Sequence, residues 1–194
     1  MIPLVGVRVG QRHEPSGVCV VEESTRDETH YLVRHLERIP AGSTLPEITE
    51  RTKQIVHGAS WNRMEYSAVY LDLTGRGTPV LEYMQKAIFL GLFVPVYFNY
   101  GDQLREEPPD VHLGKAHLVT RLQLLLQTGR LHLPDTREAW LLAEELQEYQ
   151  IQIHPQANDT YGAFTLGTRD ELVTALGMAV SGAMRHTSAT LRAW

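Results

Sequence analysis

The sequence lacks the features that would place it in several large classes of protein. It contains one cysteine, Cys19, in 194 residues, which excludes an internal disulfide framework and a cysteine-rich zinc site. Cys19 lies in an apolar segment and is predicted to be a small core residue in a reducing compartment. The longest apolar run, residues 87–96, contains a glycine and a proline and is far too short to cross a bilayer. No basic-then-apolar leader opens the sequence, which predicts a cytoplasmic protein without a membrane partner.

The common nucleotide-binding and nucleophile motifs are also absent. The stretch "HLGKAH" lacks the upstream glycine of a phosphate-binding loop, so no ATPase domain of the usual kind is predicted. No serine elbow or Cys/His pair indicates a covalent hydrolase, and the nine histidines are scattered without metal-ligand spacing. A net charge of −5 argues against general coating of nucleic acid. A local basic groove remains compatible with it, because only charges near the phosphates matter.

The composition that is present describes a folded globular protein. Hydrophobic residues make up 43% and charged residues 21% of the chain, and residues 1–194 are predicted to form a single domain. Apolar segments of strand length occur at 2–9, 17–21, 30–39, 68–72 and 93–98. The first three are predicted to be antiparallel. The last two are predicted to run parallel to the first, because helical segments separate them.

Helical periodicity accounts for most of the remaining chain. Apolar residues recur on one helical face in the segments 45–59, 79–90, 115–127, 136–149 and 168–184. In the fourth of these, Trp140, Ala143 and Leu146 are predicted to face the core, with Leu142 as a further candidate.

Two short segments complete the prediction of the fold. "IQIHP" is predicted to be a short edge strand, because Pro155 ends its ladder, and "REEPPD" is predicted to be a loop. The chain is therefore predicted to be an α/β protein with a mixed sheet of five or six strands and helices on both faces.

Two acidic positions stand where chemistry is commonly located. Asp72 ends a predicted buried strand, and the carboxyl end of a strand is where open α/β sheets place ligands; the alternative is a turn residue that caps the next helix. Asp170 and Glu171 begin the last helix. Thr168 and Glu171 match a capping box there, and acids in a first turn favour the helix dipole, so a structural role is the commoner one for such residues.

Arg8 is the unusual residue of the first strand. It stands in the middle of the apolar stretch that opens "VGVRVGQRHEPSG", residues 5–17. A charge inside a buried strand is costly unless another group pairs with it. A partner for Arg8 is therefore expected from another part of the fold.

The order and spacing of several segments, from residue 5 to about residue 182, resemble the C-terminal nuclease domain of phage terminase large subunits. "VGVRVGQRHEPSGVCVVE" resembles the opening hairpin of that family, and "VYLDLTGRGTPV" resembles its Asp-x-Thr-Gly-x-Gly motif. "GKAHLVTRLQLLLQTGRLHLP" resembles its lysine-containing helix and the strand that follows. "ELQEYQIQI" and "GTRDELVTALGMAV" resemble its closing edge strand and the acidic start of its last helix. The resemblance implies an RNase H-like fold.

The resemblance also implies a two-metal phosphodiesterase, in which two Mg²⁺ or Mn²⁺ ions about 3.5–4 Å apart clamp the attacking water and the leaving oxygen. Such cations take oxygen ligands. The implied metal ligands are Asp72 and Asp170, both of them catalytic, with Glu171 as the adjacent catalytic acid. The first, bridging acid of the family falls on Arg8, which is expected to pair with Asp72 and Asp170 and to fill the metal position with a fixed positive charge. Glu14 is expected to lie too far away in the hairpin turn to substitute.

Three functions remain open from the sequence. The first is a phage or prophage endonuclease domain that cuts concatemeric DNA during packaging, impaired by Arg8. The second is a catalytically inactive RNase H-like module for DNA binding or for the packaging complex; a third, structural domain would use the acids only as caps. The resemblance implies double-stranded DNA, terminase components and portal components as partners, in the cytoplasm of a bacterial host. Candidate phosphate contacts are Lys115, Arg76 and Arg130, with a solvated side chain as the alternative for Lys115.

Overall fold

The fold is built on a mixed eight-stranded sheet. The computed structural model describes residues 3–11, 13–25, 28–59, 67–75, 77–88, 90–99, 104–148, 150–152, 160–162 and 169–192. The strands of the main sheet are β1 (Leu4–Arg8), β2 (Ser16–Thr25), β3 (Thr29–Ile39), β4 (Ser67–Asp72), β5 (Gly91–Asn99), β6 (Leu104–Glu107), β7 (Asp110–Gly114) and β8 (Leu131–His132). Their order across the sheet is β6-β7-β5-β4-β1-β2-β3-β8.

Strand directions agree with the prediction from the sequence. β1, β2 and β3 are antiparallel neighbours, whereas β4 is parallel to β1 and β5 is parallel to β4. β7 is also parallel to β5, so the central strands all end at one edge of the sheet. The predicted mixed sheet is therefore confirmed.

Five helices cover the two faces of this sheet. They are α1 (Leu45–Ala59), α2 (Thr78–Ala87), α3 (Lys115–Gln127), α4 (Arg137–Glu148) and α5 (Glu171–Arg192). The alternation of β1 separates two cores, because successive side chains of a strand point to opposite faces. Val5 and Val7 pack with residues of α1 and α2, and Leu4 packs with residues of α3, α4 and α5. Among the described residues, no helix is long and apolar enough to cross a membrane.

The sheet has more strands than the five or six predicted. The segment predicted to be a loop, "REEPPD", is the hairpin in which β6 pairs with β7. The sequence did not predict this strand pair, because two prolines, Pro108 and Pro109, form its turn and charged residues make up most of β6. The predicted edge strand at 151–155 contributes residues to β9 (Gln150–Gln152), which pairs with β10 (Thr160–Gly162) in a separate two-stranded sheet.

The buried face of α4 agrees with the prediction only in part. Leu142 is fully buried and Leu146 packs against the core, as predicted, whereas Trp140 is 70% exposed. The inward face passes through Ala139, Leu142 and Glu145, with Leu146 beside it. The size of the indole misled the prediction, since the position of a residue on the helix decides its burial.

Candidate functional site

The candidate site lies at the carboxyl ends of the central parallel strands. Arg8 is the last residue of β1 and Asp72 is the last residue of β4. Val7 is paired with Leu71 in the parallel register, so Arg8 and Asp72 follow side by side at the sheet edge. Because Val7 and Leu71 face α1 and α2, the alternation of the strands turns Arg8 and Asp72 towards the α5 face.

Two glycines allow α5 to reach this edge. A Cβ atom on Gly6 would lie 1.9 Å from the carbonyl oxygen of Ala175, and one on Gly17 would lie 2.2 Å from the carbonyl oxygen of Glu171. The backbone of α5 therefore rests directly on β1 and β2, where any side chain would displace it. This close approach brings Asp170, which immediately precedes α5, next to Arg8.

Arg8 has acidic partners on two sides. Its Nη2 atom lies 3.2 Å from Oδ1 of Asp170 and 3.5 Å from Oε2 of Glu14. Pairing with Asp170 was predicted from the resemblance. Glu14, which was expected to lie too far away to substitute for the missing acid, does reach Arg8, because the tight turn after β1, with the N–H of Glu14 donating to the carbonyl of Gln11 at 2.8 Å, brings it back to the strand end.

The electrostatic environment of Arg8 is strongly acidic. Burial lowers the pKa of the Arg8 guanidinium, but the negative charges of Asp170, Glu14, Asp72 and Glu171 outweigh that effect and raise it. Asp72 therefore contributes to the negative electrostatic potential at Arg8. Its Oδ1 accepts a hydrogen bond from the N–H of Thr74 at 2.9 Å, so Asp72 also stabilises the turn after β4.

Lys115 completes the neutralisation of Asp170. It follows β7 directly as the first residue of α3, and its Nζ atom donates to Oδ2 of Asp170 at 3.1 Å. Nζ also lies 5.8 Å from the centre of the Phe98 ring, within the range of a cation–π contact. Each carboxylate oxygen of Asp170 therefore faces a different cation, Arg8 or Lys115.

A buried glutamate on α4 holds the start of α5. Oε2 of Glu145 accepts hydrogen bonds from the backbone N–H groups of Leu172 and Val173, both at 2.9 Å. Oε1 of Glu145 accepts one from Arg38 of β3. The first turn of a helix has N–H groups without helical partners, and Glu145 satisfies two of them, so it positions the segment that carries Asp170. The sequence did contain a signal, a glutamate on the same helical face as Leu142, but the misplaced stripe through Trp140 concealed it.

Glu145 is expected to make the stability of the protein depend on pH. Burial raises the pKa of its carboxyl from 4.5 to about 7, although the Val173 N–H and Arg38 pull it down. A carboxyl whose pKa is higher in the folded state stabilises the fold fully below its unfolded pKa and loses this contribution as pH rises through the folded one. The free energy of unfolding should therefore fall between pH 5 and pH 8 by an amount on the order of 2 kcal/mol.

Urea denaturation at a series of pH values checks this prediction. The Glu145→Gln variant keeps an acceptor for the α5 N–H groups but does not titrate, so its unfolding free energy should vary less over the same interval. Identical pH profiles for the two proteins would contradict the assignment to Glu145.

An open pocket of about 660 Å³ lies beside these residues. Its basic lining residues are Arg8, Arg38, Lys115 and Arg169, and its acidic ones are Glu14, Asp170 and Glu171, with His13 also at the wall. The predicted site residues Asp170 and Glu171 thus line the pocket. Arg38 and Arg169 were not predicted, because no local motif marks an arginine that becomes part of a site only through the tertiary fold.

Of the other two predicted DNA contacts, one lies outside the described residues and one lies away from the pocket. Arg76 is outside the described residues, as is Thr168 of the predicted capping box. Arg130 donates from Nε to the carbonyl oxygen of Thr29 at 2.8 Å. β3 runs in the same direction as β1, and Thr29 is its first residue, whereas Arg8 is the last residue of β1. Thr29 therefore lies at the opposite ends of the strands from Arg8. Arg130 therefore stabilises the β3–β8 end and does not line the pocket.

The residues at the sheet edge do not fit a pair of divalent ions. Within the part of the chain that the structure describes, no three His, Cys, Asp or Glu side chains form a group that could hold a metal ion. Asp170 is already paired with two cations, and a guanidinium stands where a bridging carboxylate would be needed. Oxygen-rich coordination, which Mg²⁺ and Mn²⁺ require, is therefore not preformed.

Comparison with solved structures identifies the fold. The large terminase nuclease domain of Thermus phage P74-26 superposes with a TM-score of 0.61 at 18% identity, over 93% of this chain and 78% of that one. The large terminase nuclease of phage G20c, solved with bound zinc, gives a TM-score of 0.59 at 19% identity, over 93% of this chain and 80% of that one. The chain has the RNase H-like fold of phage large terminase nuclease domains.

A third structure with the terminase nuclease fold extends the comparison. The large terminase nuclease domain of bacteriophage SPP1, solved with bound manganese, has a TM-score of 0.56 at 10% identity, over 94% of this chain and 87% of that one. No family model matches the sequence, and no curated protein is significantly similar to it. The fold expected from the motifs is confirmed at the level of structure.

Proposed function

We propose that this domain with the terminase nuclease fold binds DNA beside the carboxyl ends of its central strands, where Arg8 and Asp170 lie, and does not itself perform two-metal cleavage. The observation that carries this proposal is the ion pair between Arg8 and Asp170, 3.2 Å apart at the end of β1. A permanent cation occupies the position that the family resemblance assigns to the bridging acid. The protein is then an RNase H-like scaffold in which a guanidinium paired with Asp170 takes the place of a metal ion.

Simple electrostatics supports the loss of metal binding. Two like unit charges 4 Å apart repel by about 4 kcal/mol at an effective dielectric constant of 20, and a divalent ion faces about twice that from one guanidinium. Lys115 adds a second cation on the other oxygen of Asp170. Asp72, Asp170 and Glu171, the acids assigned to catalysis by resemblance, would have to bind metal against both charges.

The second candidate function is the active endonuclease. It is favoured by the fold, because the solved domains that resemble this chain are nucleases, one with bound zinc and one with bound manganese. In that case Asp72 and Asp170 would hold Mg²⁺ or Mn²⁺ after Arg8 swings away. The domain would then cut concatemeric DNA in the cytoplasm of a bacterial host, together with other terminase or portal components.

Replacement of Lys115 tests DNA binding. Lys115 is 29% exposed at the mouth of the pocket, and a lysine there contacts phosphate without reading bases. Lys115→Ala should weaken binding of duplex DNA several-fold, equally for unrelated sequences, and lower the salt slope by about 1. Fluorescence anisotropy at a series of salt concentrations measures both quantities.

The matched control for this experiment is Lys86→Ala. Lys86 is exposed in the last turn of α2, on the opposite face of the sheet, so its loss should leave the affinity nearly unchanged. Equal DNA affinities of the wild type and Lys115→Ala at low salt would show that Lys115 does not contact DNA.

A further inference from the structure

Two histidines that lie far apart in the sequence meet at one edge of the main sheet. His30 is the second residue of β3, and His132 is the last residue of β8, the edge strand beside it. Nδ1 of His30 lies 2.9 Å from Nε2 of His132, and the centres of the two rings are 5.1 Å apart. The contact is exposed to solvent, so a small ion can reach both nitrogen atoms.

The register of β3 and β8 explains why these side chains meet. Leu32 is paired with His132 in the parallel ladder. His30 precedes Leu32 by two residues, so the two histidines lie on the same face of the sheet. Tyr31 and Leu131 alternate with them and are buried on the opposite face. Two paired strands therefore hold the imidazole rings next to each other.

The arrangement of the two nitrogen atoms suits a metal ion. One ring donates a hydrogen bond and the other accepts it, so both nitrogen atoms face the same gap. An ion about 2.0–2.1 Å from both makes an N–metal–N angle of about 90° at their present separation, and a widening by about 0.4 Å gives a tetrahedral angle. Imidazole nitrogen suits Zn²⁺, Cu²⁺ and Ni²⁺. The pair therefore offers two convergent ligands to an ion of this class.

We propose that His30 and His132 bind one divalent transition-metal ion, Zn²⁺, Cu²⁺ or Ni²⁺, which joins β8 to β3. Each ring binds through the nitrogen that faces its partner and carries its proton on the other nitrogen. Within the described residues no third His, Cys, Asp or Glu joins the pair, so water fills the remaining positions. The site is independent of the pocket at Arg8 and Asp170, because His30 lies at the opposite ends of the strands.

The order of affinity for different ions follows from these ligands. Mn²⁺ suits oxygen ligands and lies at the weak end of the series of divalent first-row metals, whereas Cu²⁺ lies at its strong end. Arg130, which donates to the carbonyl oxygen of Thr29, adds a positive charge at this end of the strands and lowers the affinity for every cation. The wild type is therefore expected to bind Cu²⁺ more tightly than Ni²⁺ or Zn²⁺, and Mn²⁺ much more weakly than any of them.

Calorimetric titration of the tag-free protein with these four ions tests the proposal. His30→Gln and His132→Gln should each weaken binding of Ni²⁺ at least about tenfold, since each removes one of two direct ligands. The double variant should lose little more than either single variant, because a chelate is lost with its first ligand. Independent binding to separate histidines would instead lower the stoichiometry in each single variant. That result, or unchanged affinity in both, would overturn the proposal.

His112→Gln is the matched control for these variants. His112 is a partly exposed histidine of β7, which lies near the opposite edge of the sheet. Its replacement should leave the affinity for Ni²⁺ unchanged. An equal loss in His112→Gln and in the two test variants would show non-specific binding to surface imidazoles and contradict a built site.

Two spectroscopic measurements report on the position of the ion. The electron paramagnetic resonance spectrum of the Cu²⁺ complex should show two coupled imidazole nitrogens in the wild type and one in either variant. Zn²⁺ should slow hydrogen exchange of the Tyr31 N–H, which donates to the carbonyl oxygen of Arg130 at 2.8 Å, more than that of the β7 amides. One coupled nitrogen in the wild type, or equal slowing in both regions, would overturn the proposal.

Discussion

Arg8→Asp is expected to convert the pocket into a divalent-metal site. The substitution removes the guanidinium that pairs with Asp170 and adds a carboxylate at the end of β1, beside Asp72 of the neighbouring strand. Removal of a repulsion of about 8 kcal/mol at 4 Å and a dielectric constant of 20, together with one more oxygen ligand, should strengthen Mn²⁺ binding by several orders of magnitude. Calorimetric titration and the metal-dependent shift of the melting temperature measure this gain.

Further variants show whether the charge or the new ligand matters. Arg8→Gln removes the cation without supplying a carboxylate and should bind Mn²⁺ with intermediate affinity. Asp72→Asn in the Arg8→Asp background should reverse most of the gain. Plasmid nicking by Arg8→Asp would further show that the rest of the pocket remains competent for catalysis.

The wild-type protein supplies the decisive control. It is expected to show little stabilisation by Mn²⁺ and little or no nicking. Strong Mn²⁺-dependent cleavage by the unmutated chain, abolished by Asp72→Asn, would overturn the proposed function and show that Arg8 does not block the metal position.

Glu145→Ala is expected to cause the largest loss of stability. It removes the acceptor of two N–H groups at the start of α5 and leaves Arg38, whose side chain is 11% exposed, without its carboxylate. Breaking a buried ion pair by removal of one partner costs about 3–5 kcal/mol. Chemical denaturation measures the change in the free energy of unfolding.

Glu144→Ala is the matched control on the same helix. Glu144 is the exposed neighbour of Glu145, and surface substitutions usually change stability by no more than about 0.5 kcal/mol. Equal losses for the two variants would show that helix propensity dominates and that the contact with α5 contributes little.

The sequence alone was sufficient to predict the central architecture. The change from strand to helical periodicity gave β1 to β5 and their directions, because parallel strands joined through helices leave few possible arrangements. It also singled out Arg8, since a charge in an apolar strand demands a partner. The pairing of Arg8 with Asp170 followed from the family resemblance, because the two positions share one site in that fold.

The details of the pocket depended on the tertiary structure. Glu14 pairs with Arg8 because the turn after β1 folds back, and Lys115 reaches Asp170 because β7 ends at the same sheet edge. Such contacts join residues far apart in sequence, and no local periodicity encodes their distances.

The fold class, the central strands and the unusual charge at position 8 could be derived from the sequence, because the periodicity of apolar residues is a local property of a chain. The groups that surround this charge depended on how the helices and strands pack together. Glu145 and Arg38 come from α4 and β3, and they meet at the start of α5 because the helix backbone rests on Gly6 and Gly17. A site of this kind is made by packing between elements, so its residues acquire their roles when the elements come together.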